Sequence, residues 1–288
     1  MVTKEKKPWK KNLYENRDYE DNYTDESFLK DLKKNYNLKQ YSLKECFYGV
    51  TKVSQEISCV TLFLIIFHYL NENAVQPQKI LFNSFALTGL GYFVYIGRDL
   101  QKLRNVIEDS KTVGVVMLFG YVLSPLLHTL TDSISTDTIF SNTFIILFFH
   151  LLLHDYGVDG FLVSRTVSLN CGIFASICLA SRLSTAHHAF VLLVVAAEVF
   201  VLKPLLFEKI WKPWMLLPIA GVTLYFLYNI SRLLLIVYLF ILFFVNILCP
   251  IMFQRLNDKK FKNLISGPWD EALIEDPVDN EENNKKTL

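Results

Sequence analysis

The sequence is short of the features that mark most enzymes and secreted domains. Its five cysteines, Cys46, Cys59, Cys171, Cys178 and Cys249, are odd in number, fall mostly in apolar runs and show no CxxC spacing. They read as small buried hydrophobes rather than disulfides or zinc ligands. Net charge is nearly absent, with 29 Lys and Arg against 28 Asp and Glu. Global charge therefore predicts no nucleic-acid or other polyanionic partner. No signal peptide opens the chain, because about fifty polar residues precede the first apolar run. There is no GxSxG, HExxH or P-loop, no carboxylate pair suited to sugar chemistry, and no polar stretch long enough for a nucleotide-sugar fold. No internal repeat is visible. If the chain belongs to an enzyme, the catalytic centre is expected on another subunit.

What it does have is apolar sequence. Hydrophobic residues make up 52% of the 288, aromatics 14% and charged residues only 20%, the last concentrated in residues 1–56 and 254–288. That pattern excludes a disordered protein, a disulfide-stapled domain and an ordinary soluble enzyme. A hydrocarbon core of ~30 Å needs about 17–25 mostly apolar residues per helix. Eight stretches qualify: 53–70, 80–97, 112–130, 138–154, 161–180, 187–202, 213–229 and 233–253. The first, with Gln55 and Glu56 near its start, and the fifth, the most polar, are the weakest. The expected fold is all-α, a polytopic membrane helical bundle. It divides into a cytosolic N-terminal segment over 1–52, a multi-span domain over 53–253 and a cytosolic tail over 254–288.

Charge sets the orientation. With the N-terminus in the cytosol, the cytosolic loops hold seven basic residues: Arg98, Lys102, Arg104, Lys111, Lys203, Lys209 and Lys212. The opposite loops hold three, Lys79, Arg182 and Arg232. Twelve further Lys and Arg precede residue 53. Positive-inside thus predicts both termini in the cytosol, so the sequon at Asn22 would be cytosolic and that at Asn229 would lie against the membrane, and neither would be glycosylated. Lys285 and Lys286, third and fourth from the end, resemble a dilysine signal for retrieval to the endoplasmic reticulum, and equally suit a plain Lys-rich tail.

Residues 22–36 carry a helix start signal, with Thr24 as cap and Asp25 and Glu26 in the first turn. Phe28, Leu29, Leu32 and Tyr36 share one face, so this amphipathic helix would lie on the membrane interface or dock on a partner. Gly267-Pro268-Trp269 after the last span reads as a turn presenting an aromatic near the headgroups.

Inside the membrane, Ser164, Ser168, Gly172, Ser176 and Ala180 recur every four residues and form a small-residue stripe suited to close helix packing, within this chain or with another. Arg165 and Glu198 are each placed about one turn inside the same boundary, and an intramembrane ion pair between them would lock helices five and six. His150 and His154 share a helix face, followed by Asp155. Two imidazoles at that spacing could bind a metal. With only six histidines in the chain, and His187-His188 at the opposite end, the pair is read instead as lying among aromatics. No metal and no cofactor are expected. Thr136 or Asp137 is the expected cap of helix four, with a re-entrant segment over 128–138 as the alternative.

Several stretches, taken in order, resemble the family of the C subunit of phosphatidylinositol N-acetylglucosaminyltransferase. They are KPWKKNLYE at 7–15, DNYTDESFLKDLKKN at 21–35, LSPLLHTLTDSISTDTI at 123–139, DYG at 155–157, SLNCGIFASICLASRLSTAHHAF at 168–190 and GPWDEA at 267–272. Residues 71–111 and 203–248 diverge. The resemblance implies a non-catalytic multi-helix subunit of an endoplasmic-reticulum complex. That complex transfers N-acetylglucosamine from UDP-N-acetylglucosamine to phosphatidylinositol, the first step of glycosylphosphatidylinositol anchor synthesis. It further implies that catalysis belongs to the A subunit and that the H, P, Q and Y subunits are partners. Such a chain would assemble the complex and help present the lipid. Lys102, Arg104, Lys111, Lys203, Lys209 and Lys212 could attract the lipid phosphate at the headgroup plane, although positive-inside topology explains the same residues. The readings from other classes are a transporter or lipid flippase lined by Arg165, Glu198 and His150, and an intramembrane enzyme using His150, His154 and Asp155.

Overall fold

Eight apolar helices account for the membrane domain in the structure, a computed structural model that describes residues 19–20, 23, 42–97, 106–131, 133–157, 163–210 and 212–257. They are α1 (Leu43–Asn71), α2 (Pro77–Ile96), α3 (Val106–Thr129), α4 (Thr136–Leu153), α5 (Arg165–Ala180), α6 (Ala186–Ile210), α7 (Pro213–Ile230) and α8 (Arg232–Arg255). Seven of these are long and apolar enough to cross a bilayer, and α5, at 16 residues, is the short one. No strand occurs among the described residues. The chain is therefore an all-α polytopic membrane bundle. The expected amphipathic helix at 22–36, the Gly-Pro-Trp turn and Lys285-Lys286 lie outside the described residues, apart from Tyr23.

Local chemistry sets the helix ends. A capping box opens α1: Ser42 Oγ accepts from the Glu45 amide at 3.3 Å, and the Ser42 amide donates to Glu45 Oε2 at 2.8 Å. The helix thus begins ten residues earlier than the apolar run that predicts it, inside the segment assigned to the N-terminus. Proline occupies the first turn of α2, where its missing N–H costs nothing. Ser135, not Thr136 or Asp137, caps α4, its hydroxyl accepting from the Thr138 amide at 3.4 Å. The preceding residues form an ordinary turn rather than a re-entrant element, with the Ile134 amide donating to the Thr131 carbonyl at 3.0 Å. Ser164 and Thr185 cap α5 and α6 in the same manner. α5 therefore starts at Arg165, four residues later than its apolar run.

The central element is α6. Ala189, Val191, Leu192 and Ala196 are fully buried, as befits the stretch 189–197, which is apolar all round. It packs against α1, α2, α3 and α5, and α4 lies along α5. A second, smaller cluster joins α1 to α7 and α8 through Ile65, Leu227 and Tyr238. There Ser58 and Tyr238 hydroxyls share a hydrogen bond of 2.7 Å, which keeps two buried polar groups satisfied. The outside is apolar: Phe82, Phe93, Phe144 and Leu233 are all exposed. Such a surface suits hydrocarbon rather than water.

Two irregularities shape the interior. Gly172 on α5 lies so close to Phe200 on α6 that a Cβ built there would stand 2.7 Å from the ring. Ser168, Ser176 and Ala180 are buried on the same face, and Ser164 serves as the helix cap. The small-residue stripe is thus occupied within this chain. Opposite it, α6 widens into one π-helical turn at Glu198–Leu202, a local geometry that often accompanies functional sites. Phe200 sits in that turn, which Lys203 follows directly.

Candidate functional site

Four segments bring polar side chains to one end of the bundle: α1, the end of α4 with the turn after it, the start of α5, and α6 just after its π turn. They surround a cavity of about 430 Å³ whose lining includes Lys52, Glu56, His154, Tyr156, Arg165 and Lys203.

Glu56 is the hub. It is 4% exposed, in a helix that is otherwise apolar from Ile57 to Leu70 except for small hydroxyl and thiol side chains and His68. Its Oε1 lies 3.3 Å from His150 Nε2, and its Oε2 lies 3.6 Å from His154 Nε2. Lys203 Nζ donates to the same Oε2. A carboxylate at this depth is tolerable only with such partners. The two imidazoles come from the end of α4, four residues apart, with ring centroids 5.4 Å from each other. His150 is almost wholly buried and packs edge-on against Phe200, centroid to centroid 4.8 Å. His154 stands at the mouth, edge-on to Tyr156 with centroids 5.0 Å apart.

The turn after α4 gives a physical content to Asp155-Tyr156-Gly157. Asp155 Oδ1 accepts from the Gly157 amide at 2.8 Å, and Gly157 takes φ +78°, which glycine adopts without a steric penalty. A Cβ at this position would lie 2.9 Å from Lys52 Nζ. The glycine therefore permits both the turn and the approach of Lys52, which donates to the Tyr156 carbonyl at 2.8 Å. The Tyr156 hydroxyl donates to the Leu151 carbonyl at 2.7 Å, and burial pushes its ionisation above the usual phenol range.

The expected Arg165–Glu198 pair does not form. Arg165 is the first residue of α5 rather than one turn inside it, and its guanidinium reaches Glu208 at 3.4 Å, with both side chains well exposed. Glu198, in the π turn, instead accepts a hydrogen bond from Thr88 on α2. Among the basic residues expected at headgroups, Lys203 is buried on Glu56, Lys209 reaches the Tyr95 carbonyl and ring, and Lys111 and Lys212 are exposed. Lys102 and Arg104 lie outside the described residues. The pairing that sequence reasoning missed is Glu56 with Lys203. The available signal was a lone acid in the first apolar run and a lone base just after the sixth.

At the other end of α5 the residues around 128–138 meet those around 181–186. His128 Nε2 donates to the Leu183 carbonyl at 2.7 Å, and Arg182 Nη2 donates to Thr131 Oγ1 at 2.7 Å and to its carbonyl. Ser181 and Thr131 hydroxyls bond to each other, and Ser124 donates to the Ala186 carbonyl. The polar motif after α3 is thus a clasp between two helix connections.

Comparison with known proteins gives a consistent picture. A family model described as GPI2, phosphatidylinositol N-acetylglucosaminyltransferase, matches residues 9–270. The C subunit of phosphatidylinositol N-acetylglucosaminyltransferase from Rattus norvegicus is 38% identical, covering 94% of each chain. The Homo sapiens protein of the same name is 37% identical over 96% of each. The GPI2 subunit of the same transferase from Schizosaccharomyces pombe is 29% identical over 94% of this chain and 88% of its own. No solved structure matches.

Proposed function

The chain belongs to the family of the C subunit of phosphatidylinositol N-acetylglucosaminyltransferase, and on that premise we propose that it is a non-catalytic membrane subunit of the transferase. In this reading it assembles the complex and holds the lipid acceptor, while a separate A subunit binds UDP-N-acetylglucosamine and transfers the sugar. The H, P, Q and Y subunits make up the rest of the assembly in the endoplasmic-reticulum membrane. The names of the relatives favour this over a transporter, and the described residues contain no soluble domain able to bind a nucleotide sugar.

The orientation belongs to the same proposal. Both termini lie in the cytosol, so the cavity end of the bundle faces the cytosol as well, because Lys52 is near the start of α1 and Arg165 begins α5. The observation that carries the lipid role is the convergence of Lys52, His154, Arg165 and Lys203 on one cavity at that end. The acyl chains of phosphatidylinositol stay in the bilayer, so a fixed headgroup gives the transferase an oriented hydroxyl. The test is the reconstituted complex carrying Lys52→Gln with Arg165→Gln. Apparent KM for phosphatidylinositol should rise about 3- to 10-fold, corresponding to the loss of roughly 1 kcal/mol of attraction for the anionic headgroup. The KM for UDP-N-acetylglucosamine should be unchanged. An unchanged lipid KM would remove the cavity from the lipid pathway.

A further inference from the structure

We propose that Glu56, His150 and His154 form a zinc site at the floor of the cavity. The three donor atoms come from α1 and the end of α4, and all lie within 4.8 Å of one another. Zinc binds imidazole nitrogen and carboxylate oxygen at about 2.0–2.2 Å, so tetrahedral ligands stand roughly 3.3–3.5 Å apart. The separations of 3.3 Å from Glu56 Oε1 to His150 Nε2 and 3.6 Å from Glu56 Oε2 to His154 Nε2 are near that spacing, one from each carboxylate oxygen. Two histidines at i and i+4 with a carboxylate from another helix leave the fourth position open, and Glu56 and His154 both line the cavity.

The orientation of His150 is the second, independent observation. Its Nδ1 lies 2.8 Å from the Ser168 carbonyl, which can only accept, so Nδ1 carries the proton. The Ser168 hydroxyl, 2.9 Å from the same nitrogen, has the His150 carbonyl to donate to at 3.0 Å. His150 Nε2 is left facing Glu56 Oε1 at 3.3 Å, a hydrogen-bond donor when it carries a proton and a metal ligand when zinc takes that proton's place. A backbone carbonyl holding the far nitrogen is also how metal-binding histidines are usually fixed.

Lys203 is the competitor. Without metal its ammonium neutralises Glu56. A dication and an ammonium on one buried carboxylate repel each other, so zinc binds by displacing Lys203. This gives the site a signature that a simple ion pair lacks: removing Lys203 strengthens metal binding. The inference stands apart from the lipid role, since the ion is measured without lipid.

The test uses the full chain purified in detergent with its complex, stripped of metal and titrated with Zn²⁺, with Co²⁺ absorption reporting coordination. One zinc per chain is expected. Glu56→Gln and His150→Gln should each weaken it at least about 10-fold, since losing even an outer partner of a ligand costs roughly 10- to 100-fold. His187→Ala with His188→Ala should leave it unchanged, and Lys203→Met should tighten it. The double variant Glu56→Gln, Lys203→Met removes both buried charges together. It keeps the question open to measurement where Glu56→Gln alone fails to fold, and it too should bind no zinc. Absence of stoichiometric zinc in the unaltered chain, a zinc affinity unchanged by Glu56→Gln, or zinc lost only with His187 and His188 would each overturn the proposal.

Discussion

Lys203 on α6 and Glu56 on α1, 147 residues apart, share a direct hydrogen-bonded ion pair in the interior of the bundle. The side chains are 13% and 5% exposed, so water does little to screen either charge. Lys203→Met in metal-free protein should cost about 3–5 kcal/mol, because it leaves a buried carboxylate without its ammonium. Glu56→Gln combined with Lys203→Met should recover most of that loss. Thermal unfolding of the purified chain in chelator measures both. A fully additive double variant would mean that the two charges do not stabilise each other.

The contact of Gly172 with Phe200 yields a second prediction. A methyl group at 172 meets the ring at 2.7 Å, and that ring is held on its other sides by Phe63, 5.2 Å away, and His150. Gly172→Ala should therefore destabilise by about 1–3 kcal/mol through overpacking. Phe200→Leu should relieve the clash, so the double variant costs less than the sum of the singles. Unfolding temperatures of the four proteins decide it.

Arg165 provides a contrast. Its pair with Glu208 is exposed, at 49% and 68% for the two side chains. Glu208→Gln should change stability by no more than about 0.5 kcal/mol. A large effect in the same unfolding assay would mean the pair is more enclosed than its geometry indicates.

These residues differ in how far the sequence discloses them. Apolar runs locate every one of the eight helices, because span length is fixed by the bilayer and needs no tertiary information. The ends are less legible, since Ser42, Ser135 and Ser164 set them through one or two local hydrogen bonds rather than through hydropathy. Pairing is the least legible. Arg165 and Glu198 occupy matched depths on paper, yet a late start for α5 and a π turn in α6 send them to different partners. Glu56 is visible as a blemish in the first span, and the His150/His154 spacing is visible too. That these three meet Lys203 depends on how α1, α4 and α6 pack, which no local pattern encodes.

The clasp at the far end of α5 supports a last prediction. Arg182 satisfies both the hydroxyl and the carbonyl of Thr131, and Ser181 holds the same hydroxyl, so one threonine ties the α3–α4 connection to the α5–α6 connection. Arg182→Ala removes two charge-assisted hydrogen bonds from Thr131, leaving its carbonyl only the Ile134 amide and its hydroxyl only Ser181, at a cost of about 1–3 kcal/mol. Thr131→Val removes the hydroxyl and leaves the carbonyl to Arg182. The two changes act on one network, so their effects should couple by at least about 0.5 kcal/mol in a double-mutant cycle. The 16 residues of α5, about 24 Å at ~1.5 Å per residue, separate this clasp from the cavity. Arg182→Ala should accordingly lower the unfolding temperature and raise amide exchange around 131–135, while zinc binding and the apparent KM for phosphatidylinositol stay at their original values. A shift in either of those two constants would show that the clasp and the cavity are energetically joined through α5.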